Sequence, residues 1–261
     1  MMRVKQPAVA GLFYPRDPEV LAKLLNDFLE GADPPPGPRP HALIVPHAGY
    51  VYSGPIAATG YATLRPWRGQ ITRVAVLAPS HRVAFRGIAT SSADRFATPL
   101  GEIPVDRDAV AALNDLPGVG VLDQAFAEEH ALEVQLPFLQ SVLGDFTLVP
   151  LVVGQADAET VDRVMEALQR EDTLFVVSSD LSHYHDYATC QSRDRETSAA
   201  IVRMDEAHIG PRDACGAYPI GGLLMAARDQ AWQPKALDVR NSGDTAGDRA
   251  RVVGYGAYAF F

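Results

Sequence analysis

Ala42-Leu43-Ile44-Val45-Pro46-His47-Ala48-Gly49-Tyr50 decides the fold, because a short apolar run ends there in a cluster that contains a histidine. Two other stretches repeat the arrangement: residues 74–78 lead into Pro79-Ser80-His81, and residues 174–177 lead into Ser178-Ser179-Asp180-Leu181-Ser182-His183. Short apolar runs rich in β-branched residues predict strands buried on both faces. Ligands of open α/β sheets bind outside the carboxyl ends of such strands. The pattern therefore predicts imidazoles and a carboxylate along one edge of a sheet.

Helical and strand patterns alternate through the rest of the chain. Leucines at helical spacing predict one helix that begins at Glu129-His130 and runs to about residue 143. The remaining patterns predict helices at 21–29, 189–204 and 219–228, strands at 147–153, 236–241 and 252–261, and an edge hairpin within 87–105. Such alternation predicts an α/β fold: a single layered domain over residues 1–261, with a largely parallel central sheet flanked by helices.

Composition excludes several classes of function. The chain has 261 residues and a formal net charge of −9, which disfavours nucleic acid and anionic membranes as partners. Only two cysteines are present, so a disulfide framework is not expected and a reducing compartment is the simpler interpretation. No apolar stretch approaches the roughly 18 residues of a membrane span, and no apolar leader is evident. We expect a cytoplasmic protein.

His47 and His81 are the strongest candidates for a metal site. Each follows a predicted buried strand and has a proline within the two preceding positions. Two neutral imidazoles at neighbouring strand ends can share a divalent metal ion. The alternative is that each histidine only stabilises its loop by hydrogen bonding.

Cys215 is the candidate for a third ligand. It lies in Asp213-Ala214-Cys215-Gly216-Ala217, directly before a predicted helix. A helix N-terminus lowers the pKa of a thiol and favours the thiolate, which is the form that binds metal. Gly216 would let the backbone approach a ligand closely. The alternative is that Cys215 is a small buried apolar residue, which we expect of Cys190.

Other polar and aromatic residues could complete the site. Asp180 could orient His183 as a general base, or the pair could bind metal or form a turn. His130 could reach the site from the first turn of its helix, or it could be a solvated or capping residue. Three loop tyrosines could line a substrate pocket, although such residues also cover core edges: Tyr14, Tyr50 and Tyr52.

An ordered set of motifs along nearly the whole chain resembles the Memo family, in particular its prokaryotic members called AmmeMemoRadiSam system protein B. The motifs are Pro7-Ala8-Val9-Ala10-Gly11-Leu12-Phe13-Tyr14-Pro15, the stretch from Val45 to Gly54, Ala78-Pro79-Ser80-His81, the stretch from Glu129 to Phe138, Ser178-Ser179-Asp180-Leu181-Ser182-His183, Cys215-Gly216 and Val253-Gly254-Tyr255-Gly256-Ala257-Tyr258.

This resemblance implies a fold similar to the class III extradiol ring-cleavage dioxygenases, in which two histidines and a glutamate hold non-haem Fe(II). By motif, His47 and His81 match the two histidine ligands, and Cys215 lies where the Memo family has a cysteine instead of the glutamate. His183 and His130 match the two histidines that do not bind metal. The resemblance also implies a functional link to a radical SAM enzyme. A thiolate is softer than a carboxylate and would change the metal preference, so zinc or copper could replace iron.

Three hypotheses about function follow. The first is a non-haem iron oxidoreductase of dioxygenase-like type, with His47, His81 and Cys215 as ligands, His183 as general base and His130 stabilising a bound oxygen or oxyanion. The second is a non-catalytic module that uses the pocket to hold a metal, a peptide or small-molecule ligand, or a partner loop. The third is a zinc-dependent hydrolase, since two histidines and a cysteine with an open position also suit Zn²⁺.

Overall fold

The computed structural model describes residues 2–261 and has a mixed α/β fold with a nine-stranded central sheet and a separate three-stranded sheet. In chain order the strands are β1 (Val4–Lys5), β2 (Ala42–Val45), β3 (Arg73–Pro79), β4 (Ile88–Thr90), β5 (Arg95–Thr98), β6 (Gly101–Pro104), β7 (Val119–Val121), β8 (Thr147–Val153), β9 (Thr173–Ser178), β10 (His183–His185), β11 (Pro234–Asn241) and β12 (Val252–Phe260).

Helices connect most of these strands and flank the central sheet. They are α1 (Pro18–Glu30), α2 (Tyr50–Ala62), α3 (Arg107–Leu113), α4 (Gln124–Ala127), α5 (His130–Glu133), α6 (Leu136–Leu143), α7 (Ala158–Leu168), α8 (Tyr187–Val202) and α9 (Ala217–Asp229). The helices α1, α2 and α6 contact one another, as do α7 and α9. Across residues 2–261, none of the helices combines the length and the apolar character that crossing a bilayer would require.

The central sheet places the three histidine-bearing loops side by side. Its strand order is β10-β12-β2-β9-β3-β8-β4-β7, and β11 also pairs with β12, in antiparallel orientation. The four strands β2, β9, β3 and β8 run parallel, and β9 lies between β2 and β3. Every residue of β2, β3 and β9 is buried. The predicted α/β fold with a largely parallel sheet is confirmed, and the carboxyl ends of these strands form one edge.

Two details of the sequence prediction are corrected by the structure. The helix predicted from residue 129 to about residue 143 is two helices, α5 and α6. Pro137 explains the break, because its ring would clash with the carbonyl of Glu133 in a continuous helix and it has no N–H to donate. The predicted hairpin forms as β5 and β6, but it belongs to the small sheet with β1, whereas β4 joins the central sheet.

Candidate metal centre

Three imidazoles meet at the carboxyl edge of the parallel strands. The ligand atoms of His47, His81 and His130 all lie within 4.8 Å of one another. His47 follows β2, His81 follows β3, and His130 is the first residue of α5. Their ring centroids are 5.1 Å apart for His47 and His81, 5.4 Å for His47 and His130, and 4.7 Å for His81 and His130. The sequence predicted His47, His81 and Cys215 as the metal ligands, whereas the group whose ligand atoms meet here is His47, His81 and His130.

The ring of His47 is held by the last residue of β9. Its Nδ1 lies 2.8 Å from Ser178 Oγ, which donates its own hydrogen to Ala131 O at 2.6 Å. The same hydroxyl accepts a hydrogen bond from Gln135 Nε2 at 2.8 Å. Because the hydroxyl has a single hydrogen, Nδ1 of His47 must be the donor to it. His47 Nε2 therefore carries a lone pair that can bind a cation, and in this structure it faces the sulfur of Cys215 at 3.2 Å.

The ring of His81 is held in the same way by a buried carboxylate. Nδ1 of His81 lies 2.9 Å from Glu129 Oε1, and the backbone N–H of His81 donates to Oε2 at 2.6 Å. Glu129 is only 2% exposed and also accepts from Ala131 N at 3.0 Å. An ionised carboxylate has no hydrogen to give, so Nδ1 donates and Nε2 keeps its lone pair. A carboxylate that orients a histidine in this way is the usual partner of a metal-binding imidazole.

His130 is a neutral ring with an unused nitrogen. Burial lowers its pKa to about 4, against the opposing effect of Glu129. The ring lies between His81 and Phe13, with a centroid distance of 4.6 Å to the latter. Within residues 2–261 its buried Nδ1 makes no hydrogen bond, although it lies 3.4 Å from Glu129 Oε1. A buried nitrogen without a partner is costly, and a bound cation or ligand would satisfy it.

Cys215 contacts the imidazole cluster through His47. Its Sγ lies 3.2 Å from His47 Nε2 and accepts a hydrogen bond from Asp180 N at 3.2 Å. Burial raises the pKa of the thiol, and the nearby Asp180 carboxylate raises it further. This is opposite to the lowered pKa expected from the start of α9, because desolvation outweighs the helix dipole here. Gly216 does allow a close approach, but to the backbone of β9: a Cβ would lie 2.8 Å from Ser178 O.

Asp180 contacts His47 rather than His183. Its Oδ1 accepts the backbone N–H of His47 at 2.8 Å, and burial raises its pKa to about 7. Within residues 2–261 no hydrogen bond joins Asp180 to His183. His183 begins β10, and burial together with the nearby His81 lowers its pKa. The segment that carries His183 is held instead by Asp194 of α8, which accepts from Ser182 N at 3.0 Å.

The three candidate tyrosines differ in their environment. Tyr14 is 3% exposed and donates to Glu133 Oε1 at 2.6 Å. Tyr50 is also 3% exposed and donates to Val134 O at 2.6 Å. Both hydroxyls are therefore used within the protein core. Tyr52 is 40% exposed, and its hydroxyl makes no hydrogen bond in the described part of the chain.

A cavity of about 500 Å³ opens beside Cys215, between the ends of β3 and β8 and the start of α9. The sequence interpretation missed this cavity and the groups that fix the imidazoles: Ser178, Glu129 and Gln135. Ser178 could have been noticed as the polar end of an apolar run. Glu129 stands next to His130, but only the tertiary fold brings it to His81.

Comparisons with known proteins agree with the resemblance seen in the motifs. The family profile described as Memo-like protein matches residues 5–259. MEMO1 family proteins of Methanopyrus kandleri and Aquifex aeolicus are each 35% identical to this chain, covering 98% and 97% of it and 98% of each relative. The MEMO1 family protein of Aeropyrum pernix is 37% identical, covering 98% of this chain and 99% of that relative.

A solved structure supports the fold alone. It is that of an uncharacterized protein from Escherichia coli, with a TM-score of 0.55 and 14% identity, covering 83% of this chain and 99% of that one. The family match over nearly the whole length and the identities above 30% are decisive for membership. This chain belongs to the Memo family.

Proposed function

We propose that this protein binds a divalent transition metal ion at the carboxyl edge of its sheet and uses it in redox chemistry, with iron as the metal. The observation that carries the proposal is that hydrogen bonds orient the rings of two histidines in the same way, as metal ligands require. His47 and His81 each donate Nδ1–H to a fixed acceptor, so each ring keeps a lone pair on Nε2 that can bind a cation. Histidines in metal sites are oriented by such acceptors, and imidazole suits iron, zinc and copper.

The third ligand is either His130 or Cys215. His130 is supported by its place in the cluster whose ligand atoms lie within 4.8 Å of one another. Cys215 is supported by its Sγ, 3.2 Å from His47 Nε2, and by the family resemblance. We propose Cys215 as the ligand, with His130 next to the metal as a neutral ring that can donate to or accept from a substrate oxygen.

The other residues of the site have roles that do not involve binding the metal. We propose His183, on the short strand β10, as the general base, since its imidazole is near enough to those of His47 and His81 to interact with them electrostatically. Asp180 holds the backbone of His47 through a hydrogen bond of 2.8 Å, so it is a positioning residue for that ligand. Iron held by His47, His81 and Cys215 would supply a Lewis acid and an electron donor. The functional link to a radical SAM enzyme stays a prediction of the family resemblance.

Anaerobic purification followed by metal analysis and oxygen uptake tests this proposal. Bound iron with oxygen consumption that His47→Ala abolishes would support a redox enzyme. Bound zinc with no oxygen consumption would favour the hydrolase, and metal without turnover of any kind would favour a binding module. If wild-type protein and His47→Ala take up equal amounts of each metal, no metal centre exists at this edge.

Cobalt substitution identifies the third ligand. A thiolate bound to Co²⁺ gives a strong ultraviolet charge-transfer band, which imidazole ligands do not give. We expect this band in wild-type protein and in His130→Ala, and its loss in Cys215→Ser. A wild-type protein that binds Co²⁺ without the band would assign the third position to His130.

A further inference from the structure

The cavity beside Cys215 is lined in part by apolar side chains. Val83, Phe85 and Tyr218 contribute the apolar surface, and Cys215 joins the cavity to the candidate metal centre. Its volume of about 500 Å³ lies within the range of small-molecule sites. The cavity is therefore large enough for a small ligand that lies against Cys215.

The charge of the cavity is the unexpected feature. Among the described residues that line it, Arg86 carries the only full charge, and no carboxylate is present. The Arg86 guanidinium makes no hydrogen bond or ion pair within residues 2–261, and the side-chain amide of Gln155 beside it also makes none. The chain as a whole has a formal net charge of −9. An acidic protein thus exposes an unpaired cation in the cavity that adjoins its candidate centre.

The loop that carries Phe85 and Arg86 is fixed to the end of β8. Gln155 N donates to Phe85 O at 2.9 Å, and Gly87 N donates to Gln155 O at 2.9 Å. Gly154 must be glycine here, because a Cβ would lie 2.3 Å from Phe85 O. The aromatic ring and the guanidinium are therefore on a preorganised backbone, which reduces the entropy cost of binding a ligand.

We propose that this cavity binds a small carboxylate with an apolar body. The carboxylate pairs with the Arg86 guanidinium, whose planar fork matches the two carboxylate oxygens. The apolar body packs between Phe85 and Tyr218 and extends toward Cys215. The inference names the ligand class of the proposed metal centre and rests on it only for what happens to the bound ligand, since binding itself needs the cavity alone.

Three probes separate the parts of this proposal in equilibrium titrations at low ionic strength. Benzoate carries both a ring and a carboxylate, benzyl alcohol carries the ring without charge, and acetate carries the carboxylate without the ring. We expect benzoate to bind at least about tenfold more tightly than either of the others. Equal binding of benzoate and benzyl alcohol would refute the carboxylate requirement, and equal binding of benzoate and acetate would refute the apolar one.

Variants assign the effect to Arg86. Arg86→Gln should weaken benzoate binding about tenfold, and Arg86→Lys should weaken it less, because it keeps the charge but loses the fork. Arg195→Gln is the matched control, since this exposed arginine of α8 also lacks an ion pair in the described structure. Loss of benzoate binding in the control to the same degree would show general attraction to positive charge and overturn the proposal.

Metal titration of the same proteins keeps the two proposals distinguishable. Arg86→Gln should bind metal as wild-type protein does, because Arg86 is not one of the residues of the candidate metal cluster. If no protein binds metal but benzoate still depends on Arg86, the metal proposal fails and the ligand site stands. If metal binds normally and Arg86→Gln leaves benzoate binding unchanged, the ligand site fails and the metal proposal stands.

Discussion

Replacing Glu129 by glutamine should weaken metal binding without touching any ligand atom. Three N–H groups point at the two oxygens of this carboxylate: Oε1 accepts from His81 Nδ1 and Ala131 N, and Oε2 accepts from His81 N at 2.6 Å. Glutamine keeps one acceptor oxygen and replaces the other by an NH₂ group. At least one buried N–H of this set then faces another donor, and the ring of His81 loses its fixed orientation.

The expected magnitude follows from that arrangement. Mutation of a group that orients a metal-binding histidine typically costs about 10–100-fold in metal affinity, which corresponds to about 1.4–2.7 kcal/mol. The unpaired donor and the lost charge should also lower the free energy of unfolding by about 1–3 kcal/mol, since Glu129 is only 2% exposed. Both quantities can be measured, by metal titration and by urea unfolding of the metal-free protein.

Glu133 provides a matched control at the last residue of α5, the short helix that Glu129 immediately precedes. It is 5% exposed and also accepts three hydrogen bonds: from Ala8 N at 2.7 Å, Val9 N at 2.9 Å and Tyr14 Oη at 2.6 Å. These partners belong to the N-terminal segment rather than to the imidazole cluster. Glu133→Gln should therefore lower stability by a similar amount and leave metal affinity within about threefold of wild type.

The comparison of the two variants can refute the reasoning. If Glu133→Gln weakens metal binding as much as Glu129→Gln, the loss reflects a general loosening of α5, and the contact to His81 is not its cause. If Glu129→Gln lowers stability but leaves metal affinity unchanged, His81 either does not bind the metal or does not need this carboxylate. Only a selective loss of affinity in Glu129→Gln supports a positioning role.

Three further predictions concern stability and partners. Gly254→Ala places a Cβ 1.8 Å from Asp194 Oδ2 and should lower the free energy of unfolding by about 1–3 kcal/mol, whereas Gly120→Ala, with no atom within 4 Å, should be near neutral in the same melt. Burial raises the pKa of Asp194 above 3.8, so the stability this carboxyl group contributes is present below that pH and lost as pH rises through the raised pKa; wild-type protein should lose stability relative to Asp194→Asn as pH rises above 3.8, and a constant difference in urea unfolding would contradict this. The net charge of −9 predicts no salt-sensitive retention on DNA or RNA columns.

The parallel core of the fold could be predicted because its strands are buried on both faces. The apolar runs at 42–45 and 147–153 match β2 and β8, and the run at 74–78 lies within β3. A run of this kind carries its signal locally and needs no partner to be recognised. The break between α5 and α6 was missed although Pro137 was visible, because the leucine spacing continues across it. Periodicity reports which face is apolar, and it does not report whether the backbone is continuous.

The sequence predicted the two histidines of the candidate site that lie just after a strand, but not the groups that orient their rings. His47 and His81 follow directly from β2 and β3, so parallel pairing alone places them together. Glu129 and Ser178 orient these rings from other parts of the chain, over sequence separations of 48 and 131 residues. Such pairings depend on tertiary packing. The pKa of Cys215 shows the same dependence, since its burial outweighs the local effect of the helix that follows.

The family resemblance favours Cys215 as the third metal ligand, whereas the geometry places His130 in the cluster. The two groups differ in their acid–base chemistry, so an experiment can distinguish them. Each lies at or just before the start of a helix, α5 or α9, so local structure does not distinguish them. A neutral imidazole binds a cation without losing a proton, whereas a thiol must release one. Metal binding through Cys215 therefore becomes stronger as pH rises and acidifies an unbuffered solution, and binding through His130 does neither at neutral pH. Proton release per metal bound thus identifies the third ligand independently of which metal is used.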